Sequence, residues 1–326
     1  MKALTSSVLR RLADGEFHSG EALAKSLDFS RASVWNAIRD LEAAGIEVYK
    51  VHGRGYRLPY PISLLDRGAI ERCLGEHAPR FTLDLRETVA STNTALLERA
   101  AAGAAGGTVL AAEWQSGGLG RLGRPWHAGV GEALTFSLLW RFARGASGLA
   151  GLSLAVGVAI VRGLAAAGVP GAALKWPNDV LWRDAKLAGI LTELAGDALG
   201  PTAAVIGIGL NVRLSQATRV RIGQAAADLE TACGAAPDRN PLLARLLVEL
   251  AQVLQAFEKD GFAPLRAEWQ RLHAQQDRRV TLLLPDGARR SGAARGVAED
   301  GAFLLETRGG VERFHSAEVT LRPASK

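Results

Sequence analysis

The run Ala112-Glu113-Trp114-Gln115-Ser116-Gly117-Gly118-Leu119-Gly120-Arg121-Leu122-Gly123-Arg124-Pro125-Trp126 decides how the middle of the chain is read. It follows a β-like segment, 108–114, and four of its residues are glycine. Glycine lets a backbone approach a ligand closely, so the loop's N–H groups are expected to act as anion donors. Arg121 and Arg124 add forked charge suited to a carboxylate or phosphate. The Gly-Lys-Ser/Thr ending of a P-loop is missing. No helix follows at once, which excludes a dinucleotide-binding turn. Taken alone, the run also fits a surface loop with scattered arginines.

Outward from this loop, residues 64–275 mix strand candidates (81–85, 108–114, 134–140, 174–176, 189–195, 203–212) with amphipathic helices (93–101, 148–167, 241–260). That mixture predicts one α+β domain. Residues 276–326 show short strands punctuated by Asp286-Gly287, Asp300-Gly301 and Gly309-Gly310, which predicts a small antiparallel barrel. Residues 1–60 carry short apolar stripes, Ser19 and Ser30 at capping positions, and a basic hairpin around His52-Gly53-Arg54-Gly55: a winged helix-turn-helix. Pro59 and Pro61 mark a linker.

The chain has 326 residues and a net charge of +6, a mild basic bias compatible with polyanions. No apolar run is clean enough to span a bilayer, no signal peptide is evident, and Cys73 and Cys233 have no metal-ligand spacing. A cytoplasmic protein is expected, without a bound metal and without membrane association. Only seven of the 39 basic residues are lysine, a bias for which genome composition is the plainer explanation. Between Val51 and Glu258 the only lysines are Lys175 and Lys186, which points to these two as positions that use a compact ammonium rather than a planar fork.

Those lysines sit in Lys175-Trp176-Pro177-Asn178-Asp179 and in Lys186-Leu187-Ala188-Gly189-Ile190-Leu191. Pro177 stiffens a turn, and Asn178 and Asp179 can bond backbone or ligand. Ser91-Thr92-Asn93 follows a strand and can cap a helix, contact a small polar ligand, or do both. Gly207-Ile208-Gly209-Leu210-Asn211-Val212 places small residues in a strand, where a ligand or another backbone comes close.

Taken together and in this order, these motifs resemble the biotin protein ligases, and most closely the bifunctional bacterial ligases that are also biotin operon repressors. The resemblance covers essentially the whole chain. It rests on a Ser-Thr-Asn triplet, a Gly-Arg-Gly-Arg-x-Gly-Arg loop, a Lys-Trp-Pro-Asn-Asp run, a Lys-Leu-x-Gly-Ile-Leu strand and a Gly-x-Gly-x-Asn-Val strand. The chain departs from it at Leu119, where the family usually has arginine. The resemblance implies three units: a winged helix-turn-helix, a class II synthetase-like mixed-sheet ligase domain, and an SH3-like barrel. It also implies ATP with Mg²⁺ as co-substrate, biotin as substrate and no tightly bound cofactor. By the same carry-over, biotin lies near Ser91, Thr92, Asn93, Gln115, Leu119, Gly120, Arg121, Trp126, Lys186 and Gly189. Arg121 and Arg124 order the loop over biotinyl-5′-AMP, Lys175, Asn178 and Asp179 approach phosphates and magnesium, and Gly207, Gly209 and Asn211 form the floor. Lys186 and Arg121 are the catalytic candidates.

The implied partners are the biotin carboxyl carrier protein of acetyl-CoA carboxylase, operator DNA, and a second copy of the chain when adenylate is bound. On the helix-turn-helix, Arg31, Ser33, Trp35, Asn36 and Arg39 face outward on the third helix, and Arg54 and Arg57 lie on the wing. Nine basic and seven acidic residues in positions 1–60 leave a local charge of only +2, so non-specific DNA binding is expected to be weak. A ligase without repressor activity, a lipoate or octanoate ligase, and a biotin-binding regulator without catalysis are the competing readings.

Overall fold

The computed structural model describes residues 2–196 and 200–321; positions 1 and 322–326, over which the expected terminal units extend, lie outside the described residues. In the first unit, helices α1 (Ala3–Leu12), α2 (Gly20–Leu27) and α3 (Arg31–Ala43) bury Val8, Leu9, Leu12, Leu23, Val34, Ile38 and Leu41 against one another. Ser19 and Ser30 accept the N–H groups of Ala22 and Ser33, both at 3.0 Å, and so fix where α2 and α3 begin. Strands β1 (Tyr49–Val51) and β2 (Gly55–Arg57) form the wing. Gly55 has φ 105°, and a Cβ there would collide with the His18 carbonyl.

The central unit contains α4 (Arg67–Leu74), β3 (Thr82–Val89), α5 (Thr92–Ala101), β4 (Thr108–Gln115), β5 (Ala133–Phe142), α6 (Leu152–Ala166), β6 (Ala172–Lys175), β7 (Asp179–Trp182), β8 (Ala185–Gly196) and β9 (Thr202–Asn211). It continues with α7 (Gln216–Ile222), α8 (Leu229–Cys233), α9 (Arg239–Asp260) and α10 (Arg266–Leu272). Among the described residues the seven strands form one sheet, ordered β3-β4-β5-β9-β8-β7-β6. Only β3 and β4 run parallel. Alternation along β4 explains the layering. Val109 and Ala111 face the α4, α6 and α9 side, whereas Leu110 packs with Leu96 and Ala100 of α5 on the other.

The last unit is a five-stranded antiparallel sheet of β10 (Arg279–Leu283), β11 (Arg289–Val297), β12 (Phe303–Thr307), β13 (Gly310–Phe314) and β14 (Glu318–Leu321). Its order is β13-β12-β11-β10-β14. Val280, Phe303 and Leu305 merge with the central core through Trp176 and Trp269.

Three sequence expectations change. The helix expected over 148–167 starts at Leu152, after a 3-10 turn and Gly151 at φ 82°. Asp179, read as part of a turn, opens strand β7; Arg183 and Asp184, both at positive φ, make the tight return to β8. Helices α4, α7, α8 and α10 were not anticipated, being too short for a clear period. No helix among the described residues is long and apolar enough to cross a membrane.

A buried ion pair holds the linker to the central unit. Arg239, at the start of α9, is 2.5 Å from Glu113 of β4, and both side chains are almost fully enclosed. Arg239 also donates to the carbonyls of Ser63 and Ala133, and Glu113 accepts the Leu65 N–H, so the network is well satisfied.

Candidate active site

A cavity of about 460 Å³ opens where the Gly/Arg loop, the β6–β7 turn, the starts of β8 and α5, and β9 meet. Ser91 caps α5 by accepting the Thr94 N–H, which leaves its hydroxyl at the cavity edge. Gln115 accepts the Thr92 N–H at 2.7 Å. The buried Ser137 hydroxyl lies 2.8 Å from the Thr92 hydroxyl and 2.5 Å from the Asn93 side-chain oxygen, and Asn93 donates to Glu193 at 2.7 Å. The triplet therefore caps the helix and presents fixed polar groups to the cavity.

Lys186 lies beside a β-bulge: Val180 pairs with Ala188 but Leu181 pairs with Lys186, which leaves Leu187 as the extra, buried residue. The Lys186 backbone is bracketed by Ala225 and Ala227 (3.0 and 2.9 Å). Its ammonium makes a 2.7 Å ion pair with Asp179 on the cavity wall. Asn178 exchanges hydrogen bonds with the backbone of Ile190 and lies 3.4 Å from the Arg121 guanidinium. Burial pulls the Arg121 pKa below its ordinary value. Arg124 turns instead to Glu318 of β14; that hydrogen bond raises the arginine pKa and lowers the carboxylate's.

Every residue of the expected binding set lines this one cavity: Ser91, Thr92, Asn93, Gln115, Leu119, Gly120, Arg121, Arg124, Trp126, Lys175, Asn178, Asp179, Lys186, Gly189, Gly207, Gly209 and Asn211. Three of the expected contributions differ. The Gly117 N–H donates to the carbonyl of Ala90 after β3 and the Gly120 N–H to that of Arg124 within the loop, so these two are already engaged in the protein. The space above Gly207 and Gly209 is filled by Asn93 and by the Trp126 indole, 2.5 Å from where a Cβ at 209 would stand. Asn211 acts through backbone, donating to the Lys186 and Ala227 carbonyls. Two buried polar atoms at the cavity, Trp126 Nε1 and Asn211 Oδ1, have no hydrogen-bond partner among the described residues, which suits a polar ligand.

Sequence reasoning missed the walls that carry no motif. These are Arg221 and Ile222 at the end of α7, Gln224 and Ala226 just after it, and Ala317, Glu318, Val319 and Thr320 at the last strand. Only the charge complement of Glu318 to the loop arginines offered a signal.

On the first unit, Arg31, Trp35, Asn36 and Arg39 are exposed on α3, with the Arg39 guanidinium 4.9 Å from the Trp35 ring. Ser33 is half-buried and shares a hydrogen bond with Ser30. Arg54 stacks on Phe17 at 4.1 Å, and the half-buried Arg57 leans on Phe17 and Tyr49. Arg57 thus props the wing more than it projects from it.

Sequence comparison extends this geometry. The Bifunctional ligase/repressor BirA of Escherichia coli (strain K12) is 38% identical, covering 97% of this chain and 96% of its own length. The protein of that name from Salmonella typhimurium is 37% identical over 98% of this chain and 97% of its own. The chain belongs to the biotin protein ligase family. The profile of the Biotin/lipoate A/B protein ligase family matches residues 85–211 of the ligase, an HTH domain profile matches 5–57, and the Biotin protein ligase C terminal domain matches 277–322. The biotin protein ligase from Aquifex aeolicus, solved in complex with biotin and ATP, superposes with a TM-score of 0.63 at 28% identity, covering 74% of this ligase and 98% of its own chain.

Proposed function

We propose that this ligase joins biotin to AMP, transfers the biotinyl group to a lysine of a biotin carboxyl carrier protein, and represses the biotin operon with biotinyl-5′-AMP as co-repressor. The observation that carries the ligase reading is the convergence of Lys186, Asp179, Arg121, Lys175 and the Ser91–Asn93 triplet on one cavity.

The chemistry follows from charge. The biotin carboxylate attacks the α-phosphorus of ATP, and two anions repel. Lys186 and Arg121 offset that repulsion and the charge that builds on the phosphoryl oxygens. In the free protein Lys186 is held by Asp179, so it is oriented before substrate arrives. Mg²⁺ brought by ATP would supply charge to offset that of the leaving pyrophosphate, with Asp179 and Asn178 the residues that would hold it. One carboxylate, Asp179, and one amide oxygen, Asn178, suit an ion that keeps most of its ligands as water and phosphate. The carrier's lysine amine then attacks the acyl carbon and AMP leaves. No protein nucleophile is needed. The mixed anhydride is prone to hydrolysis, and the Gly/Arg loop, tied to Glu318 by Arg124, covers it.

The exposed row Arg31, Trp35, Asn36 and Arg39 supports docking of α3 in a major groove, with Arg54 on a phosphate. One such unit reads one half-site, so operator binding calls for a homodimer, formed when adenylate is bound. The limits 1–60, 64–275 and 276–326 are the working boundaries of the three units. The reaction belongs in the cytoplasm, consistent with the free thiols of Cys73 and Cys233.

Incubation with biotin, ATP and a biotin carboxyl carrier domain, read by mass spectrometry, tests the ligase. Biotin-dependent mass gain on one carrier lysine is expected, and gain with lipoate or octanoate but not biotin refutes the assignment. Operator binding at fixed salt should tighten with biotin plus ATP; equal affinity with and without them removes the co-repressor role.

A further inference from the structure

Glu132 is a buried carboxylate, 7% exposed, for which the reaction has no use. Among the described residues it grips backbone rather than a cation. One oxygen accepts the Gly129 N–H at 2.8 Å and the other the Ser215 N–H at 3.2 Å. Its own carbonyl accepts the N–H groups of Val212 and Arg213 at 2.8 and 3.0 Å. Residue 132 thus holds the root of segment 212–227 through three hydrogen bonds and ties it to Gly129 through a fourth. That segment supplies Arg221, Ile222, Gln224 and Ala226 to the cavity wall and brackets Lys186 through Ala225 and Ala227.

On its other side, Gly129-Val130-Gly131 leads back to Trp126 and His127 of the cavity. Val130 is buried in the core of the helix-turn-helix unit. Gly131, at φ 74°, packs so tightly on Ile62 of the linker that a Cβ would stand 2.5 Å from its methyl group. Arg213, the residue Glu132 holds by backbone, stacks on Tyr60 at 4.2 Å and donates to the Pro61 carbonyl.

We infer that Glu132 is a positioning residue: it locks the 212–227 wall of the cavity to the segment on which the DNA-binding unit rests. The inference rests on the ligase reading above. Both carboxylate oxygens face N–H donors, so Glu132→Gln keeps the shape but sets an NH2 group against one of them.

The test uses the full chain without ligand and then in biotin-dependent ATP–pyrophosphate exchange. Glu132→Gln should speed amide hydrogen exchange in peptides covering 212–227 about tenfold and raise KM for ATP about tenfold, with kcat within twofold. Ser215→Pro deletes the N–H donor and should reproduce both effects; Ser215→Ala keeps that donor and should move KM less. If Glu132→Gln does not fold, the Ser215 pair carries the test. Wild-type KM and exchange in Glu132→Gln and Ser215→Pro overturn the inference, as does a loss of kcat and melting temperature at constant KM. Absence of pyrophosphate exchange in the wild type is a separate failure, that of the ligase reading, and the hydrogen-exchange comparison still decides the wall's anchorage.

Discussion

His273 couples protonation to the junction between the central and last units. Its ring stacks on Trp269 at 4.7 Å and meets the edge of Phe303 at 5.9 Å. Nδ1 is 3.4 Å from the Gln276 side-chain oxygen, Nε2 is buried without a partner among the described residues, and the residue is 5% exposed. Burial lowers its pKa from 6.5 to about 4, because the imidazolium would lose its hydration. The unfolded chain therefore binds a proton near pH 6.5 that the folded chain refuses until about pH 4. The stability this contributes is complete above pH 6.5 and is lost as pH falls. The loss is about 1.4 kcal/mol per unit, reaching about 3 kcal/mol near pH 4 and about 2 kcal/mol between pH 7 and pH 5. Urea unfolding at pH 7 and pH 5 checks it, with His273→Phe as the non-titrating comparison. The wild type should lose about 2 kcal/mol more than the variant over that interval. An NMR titration of the His273 Cε1 proton should stay flat from pH 7.5 to pH 5. A midpoint near 6.5, or identical pH dependence in the two proteins, refutes the reasoning.

Lys186→Ala should lower the rate of biotin-dependent pyrophosphate release by at least about 100-fold with the circular dichroism spectrum unchanged, since it removes charge aimed at the phosphoryl oxygens. Near-normal release would sink the catalytic assignment. Gly209→Ala puts a methyl group into the Trp126 indole and should cost about 1–3 kcal/mol of stability while weakening biotin binding, measurable by calorimetry. Glu113→Ala leaves the Arg239 guanidinium buried without its counter-ion and should destabilise the chain by about 3–5 kcal/mol in urea melts. Glu318→Gln removes a partly exposed ion pair and should change stability by less than about 1 kcal/mol, yet speed release of bound biotinyl-5′-AMP in a filter assay.

Much of this architecture was legible because local rules and global fold agree. Ser19, Ser30 and Ser91 cap the helices their positions predict, and the strand candidates 108–114 and 203–212 are β4 and β9, the two neighbours of β5. The scarcity of lysine pointed to Lys175 and Lys186, and both line the cavity. What escaped has physical causes. Strand β7 is four residues long and returns through two non-glycine residues at positive φ, so no turn signal announced it. The loop's glycines read as anion donors because composition cannot show that Gly117 and Gly120 spend their N–H groups on the carbonyls of Ala90 and Arg124. Glu318 lies nearly two hundred residues from Arg124, and only tertiary structure brings them together.

That last contact has a consequence for how the enzyme comes into being. The cavity wall runs from Ser91 to Thr320, so its final strand leaves the ribosome after every other part of the wall. The helix-turn-helix draws its apolar core from residues 8–58, Val130 excepted, and can fold before the later strands are made. A nascent chain therefore carries a DNA-reading surface well before it holds a closed pocket, and a ribosome stalled before β14 leaves a protein with the former and without the latter.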